Sequence, residues 1–127
     1  MTGASERGSL GGVPIRVVSE PVALDELRRL AADQFGDFVK AVVDVRQGVM
    51  AIGAELHADE EALLLERGAR QPDLWGINLY PDREAGDLVE FDSMINVRPA
   101  QGNRSRSVED PGLQQRIRDL VAQLIRP

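Results

Sequence analysis

Apolar residues recur every three or four positions in two parts of the chain, which is the spacing of one buried face of an α-helix. The first part is residues 24–34, followed by Gly36 at the position where glycine commonly ends a helix. The other begins near Pro111, with Asp110 placed as N-cap and proline at the first helical position. A further helix is expected between them, over about residues 59–68. The sequence therefore predicts three helices.

Elsewhere, apolar and polar residues alternate, as they do in strands with one buried face. Residues 15–18 are predicted to form a short strand. Residues 38–45 and 49–56 are predicted to form a hairpin, because the three-residue loop between them ends in glycine. Residues 74–80 and 88–98 are predicted to form a second hairpin.

Together these elements predict one α+β domain with the order β-α-ββ-α-ββ-α. Hairpins connect neighbouring strands, so the sheet is expected to be mainly antiparallel, with four to five strands. We predict a two-layer sandwich with the helices on one face of this sheet. The domain covers residues 13–127, and the Gly/Ser-rich residues 1–12 are expected to be a disordered tail.

Strand alternation also predicts the face of the sheet that points away from the helices. Apolar and polar side chains are mixed there. The face combines Phe38, Val42, Asn78, Tyr80, Met94 and Asn96. A solvated sheet face with pairs across strands is one interpretation. The other is an interface, which has an apolar centre and a polar rim. Because two-fold dimers are the commonest soluble assemblies, we expect a homodimer through this face.

Composition limits the class of protein. Hydrophobic residues make up 43% of the 127 positions and charged residues 28%, as in soluble globular domains. The chain has no cysteine, which excludes disulfides and thiol catalysis, and no signal peptide is recognised, so we expect a cytoplasmic protein. The net charge of −6 argues against a nucleic-acid partner, and no apolar run approaches the length of a membrane span.

The only histidine, His57, lies in the motif GAELHADEEALLLE. If the preceding strand stays extended through Ala58, the side chains of Glu55, His57 and Asp59 leave on the same side. Such a set can bind zinc, manganese or iron, or the imidazole can act as a general base oriented by a carboxylate. The alternative is structural, because acidic residues favour the first turn of a helix and Asp59 would then be its N-cap. We favour the structural role and expect neither a metal nor another cofactor.

A second candidate site is the loop QGNRSRS between the last strand and the last helix. Its polar side chains and the N–H groups at the start of the next helix can bind an anion. The alternative is that its arginines pair with acidic residues such as Glu109 or Asp110. The predicted ligand contacts are Arg98, Asn103, Arg104, Ser105 and Arg106.

Five motifs follow one another along the chain: AVVDV, GAELHADEEALLLE, DLWGINLYP, EFDSMINVRP and GNRSRSVEDP. In this order they resemble an uncharacterised family of small bacterial proteins, a domain of unknown function. The resemblance runs from about Ile15 to the C-terminus and departs from the family at Ala54, where the family favours glycine. It implies a single domain, but it brings no activity, substrate or cofactor, and no catalytic residue carries over.

Two classes of function remain. The first is a small binding or regulatory module that uses the polar sheet face and the Arg-rich loop for an anionic small molecule or a protein partner. The second is a metal- or histidine-dependent hydrolase or lyase centred on Glu55 and His57, with a neighbouring carboxylate such as Asp92. We favour the first class and leave open whether the protein is an enzyme.

Overall fold

The computed structural model describes residues 15–127, so the predicted tail at residues 1–12 lies outside the described residues. Within this range, no helix is long and apolar enough to cross a membrane. The helices are α1 (Leu24–Asp33), α2 (His57–Glu66) and α3 (Pro111–Leu124). The strands are β1 (Arg16–Val18), β2 (Val22–Ala23), β3 (Val39–Asp44), β4 (Val49–Ile52), β5 (Leu74–Leu79), β6 (Val89–Glu90) and β7 (Ile125–Arg126).

Five of these strands form one antiparallel sheet in the order β1-β4-β3-β5-β6. The central strand β3 pairs with β5 over its whole length, from Val39 opposite Leu79 to Asp44 opposite Leu74. The two remaining strands, β2 and β7, form a short parallel pair that the sequence did not predict. The α+β class, the mainly antiparallel sheet and the approximate order of elements are confirmed.

The helices lie on both faces of the sheet. In β3, Ala41 and Val43 pack into a core with residues of α1 and α3, whereas Val42 packs into a second core with Leu64 of α2. Alternate residues of a strand point to opposite faces, so α2 covers the face opposite α1 and α3. The predicted two-layer arrangement with all helices on one face was therefore wrong. The physical reason is that the second face also carries apolar residues, Val42 of β3, Ala51 of β4 and Leu74 of β5, which have to be covered as well.

The face predicted to be a dimer interface is covered by the chain itself. Val42 and Asn96 have no exposed surface, and Asn78 is only 7% exposed. Phe38 and Tyr80 are half-buried, with their rings 5.3 Å apart. Met94 alone among the predicted interface residues is largely exposed, at 65%. Val42, Asn78 and Asn96 are therefore not available to a partner, whereas a homodimer stays an untested prediction.

The predicted strand over residues 88–98 is mostly irregular. After the two residues of β6, Met94–Asn96 form a 3₁₀ turn that lies against β5. Ser93 packs directly on Gly76 of β5, because a Cβ at that glycine would lie 2.6 Å from both Cβ and Oγ of Ser93. The side chain of Asn96 then takes the place of a paired strand. Its Oδ1 accepts from the N–H of Gly76 at 2.8 Å, and its Nδ2 donates to the carbonyl oxygen of Gly76 at 2.9 Å.

Gly76→Ala tests this close approach. The added methyl group has to displace Ser93 from a packed region, which should lower the free energy of unfolding by about 1–3 kcal/mol. Urea unfolding followed by circular dichroism measures the change. Gly86→Ala is the matched control, because an added Cβ there meets no atom within 4 Å, and its effect should stay within about 0.5 kcal/mol. Equal losses in the two variants would show that contact with Ser93 is not the constraint.

Candidate functional site

His57 joins the start of α2 to the middle of the sheet. It is the first residue of α2, is buried, and its Nε2 lies 2.8 Å from the carbonyl oxygen of Ile77 in β5. A carbonyl oxygen can only accept, so Nε2 carries the proton and Nδ1 of the neutral ring is an acceptor. Within residues 15–127, Nδ1 has no hydrogen-bond partner. Burial lowers the pKa of His57 more than the bond to Ile77 raises it, and the charge of Lys40 lowers it further.

Glu60 lies one helical turn after His57 and has no exposed surface. Its Oε2 accepts from the N–H of Ala54 at 3.0 Å, while its Oε1 has no partner among the described residues. Burial raises the pKa of Glu60 well above its ordinary value of 4.5, against the opposing effects of the Ala54 N–H and Lys40. The protein interior therefore favours the neutral carboxyl group, which can donate as well as accept a hydrogen bond.

Three polar side chains of the sheet lie beside this helix start. Lys40 in β3 is directly opposite Asn78 in β5, and Asn78 is opposite Glu90 in β6. Asn78 donates from Nδ2 to Oε1 of Glu90 at 2.8 Å, and the hydroxyl group of Tyr80 donates to the same oxygen at 3.2 Å. Oδ1 of Asn78 is buried and has no partner in the described part of the chain.

Lys40 is the only lysine of the protein and has no carboxylate within ion-pair distance among residues 15–127. Its Nζ lies 5.2 Å from the centre of the Phe35 ring, which is a cation–π distance. Phe35 in turn stacks on Phe38, with the ring centres 4.7 Å apart. We call the set Lys40, His57, Glu60, Asn78 and Glu90 the polar cluster. It is the candidate functional site.

The residues of the alternative metal site are not brought together. The strand before His57 ends at Ile52 rather than continuing through Ala58, and helix α2 begins at His57 itself. Glu55 and Asp59 are both exposed, and Asp59 lies in the first turn instead of at the N-cap. Within residues 15–127 no group of three or more histidine, aspartate or glutamate residues is arranged to hold a metal ion.

Asp92, the third residue of the alternative catalytic set, is bound by another side chain. Its Oδ1 accepts from Nε of Arg106 at 2.6 Å, and both side chains are about half exposed. Asp92 raises the pKa of His57 and Arg106 lowers it, so the two charges partly cancel at the imidazole. The pair lies at the margin of the polar cluster and does not orient the histidine, which is held by a backbone carbonyl group.

The Arg-rich loop binds a carboxylate of its own chain. The backbone N–H groups of Arg104 and Ser105 both donate to Oε2 of Glu109, at 3.0 and 2.7 Å. Hydrogen bonds from Ser105 are the main cause of the lowered pKa of Glu109. The N-terminus of α3 is also capped internally, since the side chain of Asp110 accepts from the N–H of Gly112, as the sequence predicted. The backbone N–H groups of Arg104 and Ser105 and the start of α3 are thus already used, and the side chain of Arg106 is paired with Asp92.

Asn103 organises the same loop from within. It is 5% exposed, and its Nδ2 lies within hydrogen-bond distance of the carbonyl oxygens of Asn96, Ser105 and Ser107. Its Oδ1 accepts from the N–H of Glu109. All the polar atoms of this side chain are therefore engaged, which gives Asn103 a structural role.

Arg98 is likewise engaged by the protein. Its guanidinium group lies 4.5 Å from the ring centre of Trp75 and donates to the carbonyl oxygens of Ile95, Gln71 and Leu74. A carboxylate oxygen of Glu61 lies 3.9 Å away. Arg98 therefore ties the 3₁₀ turn to β5 and is not available to a ligand.

Glu60 is the site residue that the sequence analysis missed. Acidic residues in the first turn of a helix are usually solvated, and the sequence analysis assigned the acidic residues after His57 only to the helix start. The signal that could have revealed it is its spacing of three residues from His57, which places both side chains on one face of the helix.

The comparisons with known proteins assign no chemistry to this site. A family model described as "Protein of unknown function (DUF5674)" matches residues 16–124. The chain belongs to the DUF5674 family. The resemblance to an uncharacterised domain family, inferred from five motifs, is thereby confirmed. No curated protein and no solved structure matches the chain.

The single histidine allows a direct test of its environment. In ¹H–¹⁵N spectra optimised for imidazole nitrogens, His57 should show the Nε2–H tautomer, and its pKa should lie below the ordinary value of 6.5 because burial disfavours the charged ring. Lys40→Met should raise the pKa of His57 by removing a nearby positive charge. Arg29→Gln, on an exposed side chain of α1, is the control and should leave it unchanged. A His57 pKa at or above 6.5 would contradict the buried position.

Glu60→Gln tests the buried carboxyl group through the pH dependence of stability. A pKa that is raised in the folded state gives stability that is complete below the unfolded pKa, near 4.5, and is lost as the pH rises. Glutamine cannot ionise, so the variant should gain free energy of unfolding relative to wild type between pH 4.5 and pH 7. Urea unfolding at several pH values measures this difference. Glu66→Gln, on the exposed side of α2, is the control. A pH-independent difference for Glu60→Gln would show that this carboxyl group ionises freely.

Proposed function

We propose that the protein is a small-molecule-binding module and that its ligand contacts the polar cluster. One observation carries the proposal: Oε1 of Glu60 and Oδ1 of Asn78 are buried without partners among residues 15–127, beside a lysine with no carboxylate partner. An unpaired buried polar atom costs about 1–3 kcal/mol, and folded proteins leave few of them. A ligand that pairs with these atoms would offset that cost.

The cluster also indicates the chemistry of the ligand. Lys40 would bind an acidic group, and its position over Phe35 keeps the ammonium group at the cluster. Oδ1 of Asn78 needs a hydrogen-bond donor, because Nδ2 of the same amide is already held by Glu90. The groups that supply both features in a small molecule are those of a hydroxy acid or an amino acid.

This proposal keeps the anionic ligand expected from the sequence but moves its site. The Arg-rich loop is the poorer candidate, since Glu109 already accepts from its backbone N–H groups. Lys40, in contrast, has no carboxylate partner among residues 15–127 and lies next to buried atoms that lack partners. A cytoplasmic location is proposed with it, supported by the absence of cysteine from the chain.

A second function, acid–base catalysis on the bound ligand, is supported by the tautomer of His57. The bond from Nε2–H to Ile77 leaves the lone pair of Nδ1 available, and the lowered pKa keeps the ring neutral at pH 7. A neutral imidazole with a free nitrogen is a suitable general base for a hydrolase or lyase. The hypothesis predicts that His57→Gln abolishes turnover of a ligand that still binds.

A matched pair of acids tests the binding function. Malate and succinate differ by one hydroxyl group, so malate should bind more tightly if Asn78 accepts from that group. In NMR titrations of labelled protein, malate should cause saturable shifts of the Asn78 side-chain amide and the His57 ring. Serine and glycolate extend the test to a smaller amino acid and a smaller hydroxy acid.

Two variants test the binding site, and two outcomes would contradict the proposal. Lys40→Met should abolish the malate shifts, while Arg29→Gln should leave them unchanged. If none of the donor-bearing acids shifts the cluster at millimolar concentration, the proposal is refuted. If the first shifts fall instead in residues 102–113, the Arg-rich loop is the binding site and the polar cluster is structural.

A further inference from the structure

A cavity lies on the face of the sheet opposite the polar cluster, between the C-terminal half of α3 and the segment before β6. Its volume is about 360 Å³, which is within the range of small-molecule sites. We infer that it binds a small apolar carboxylate of the fatty-acid type. Its apolar wall is separate from the polar cluster, because Val89 and Val121 of the cavity belong to the core on the α1 and α3 side. The two are in contact through Arg83, which also stacks on Tyr80, a hydrogen-bond partner of Glu90.

The wall of the cavity is mainly apolar. It includes Leu24 at the start of α1, Leu88 before β6, Val121 of α3 and Ile125 of β7. Ala122 adds a small side chain that is exposed. Apolar surface of this kind attracts a hydrocarbon chain, since its burial removes area from water on both partners.

The charged side chains at the cavity are two arginines, Arg83 and Arg118. Neither has a carboxylate within ion-pair distance among residues 15–127, the terminal carboxylate included. The nearby Asp82 does not neutralise them, because it accepts from Nε of Arg28 at 2.8 Å. An apolar cavity with unneutralised arginines favours an occupant that has an apolar body and an anionic head.

The two guanidinium groups are also held in place. Arg83 lies 3.6 Å from the ring centre of Tyr80, and Arg118 lies 5.0 Å from that of Phe91. Arg118 additionally donates from Nη1 to the carbonyl oxygen of Gly86 at 3.3 Å. Because these contacts restrict the side chains before a ligand arrives, less entropy is lost when a carboxylate binds. Guanidinium groups match carboxylates through paired N–H···O bonds.

The test uses three probes with the same eight-carbon chain and different heads: octanoate, 1-octanol and octylammonium. Octanoate should bind saturably and shift the amide signals of Val89, Ala122 and Ile125. Octanol should bind roughly tenfold more weakly, since it keeps the apolar contact and lacks the charge. Octylammonium should not bind detectably. Equal affinities of octanoate and octanol would overturn the inference.

Variants separate the site from a general effect on folding. Arg83→Gln should weaken octanoate binding about tenfold and leave octanol binding unchanged. Arg83 is the preferred position because Arg118 also holds the loop through Gly86. Ala122→Trp, at an exposed position of α3, should fill the cavity and abolish binding of both probes. Arg29→Gln is the matched arginine control and should have no effect.

The polar cluster supplies the last control. Lys40→Met should leave octanoate binding unchanged, because Lys40 lies on the other face of the sheet. Loss of octanoate binding in that variant, or its persistence in Ala122→Trp, would place the binding elsewhere and refute the cavity as the site.

Discussion

The side-chain amide of Asn96 replaces a strand at the edge of β5, and much of the domain depends on it. β6 pairs only with the last residues of β5, so on the side of β5 that faces away from β3 no strand lies beside Gly76. Asn96 binds both backbone groups of Gly76 and donates as well to the carbonyl oxygen of Arg106. Without it, the N–H and carbonyl groups of Gly76 would lose their partner, at about 1–3 kcal/mol each, whereas the carbonyl oxygen of Arg106 would keep the N–H of Ser93. The close contact of Ser93 with Gly76 is the steric condition for this arrangement.

The segment that follows Asn96 is compact and polar and lacks regular secondary structure. Asn103 binds the carbonyl oxygen of Asn96 and connects it to the loop that follows. Arg98 and Glu109 satisfy the remaining backbone groups, so residues that resemble a ligand-binding motif in the sequence are used within the protein. A motif of arginine, asparagine and serine is compatible with either use. What distinguishes them is whether an internal carboxylate lies within reach.

The two faces of the sheet differ in chemistry because different helices cover them. On the α1 and α3 side, apolar packing is extensive and leaves a cavity with two arginines at its wall. On the α2 side, apolar packing around Leu64 covers only part of the face, and the start of the helix meets the polar side chains of the sheet. Glu60 and Asn78 are buried there with unpaired atoms. Such local departures from full pairing are expected at functional sites, where stability is given up for binding.

Local pattern was enough to determine the three helices, the first hairpin and the antiparallel sheet, because these depend on spacing and turn residues within a few positions. It also determined Asp110 as the N-cap of α3. Apolar residues on both faces of the sheet, such as Val43 on one and Val42 on the other, indicated that both faces need a cover, but they could not specify which helix lies where. The placement of the helices depends on residues far apart in the chain. So do the pairing of β2 with β7 and the contact of Ser93 with Gly76. The same holds for the site, where the sequence shows His57 itself. Its bond to Ile77, the burial of Glu60 and the hydrogen bonds of Glu109 exist only in the folded chain, because there distant groups compete for the same partners.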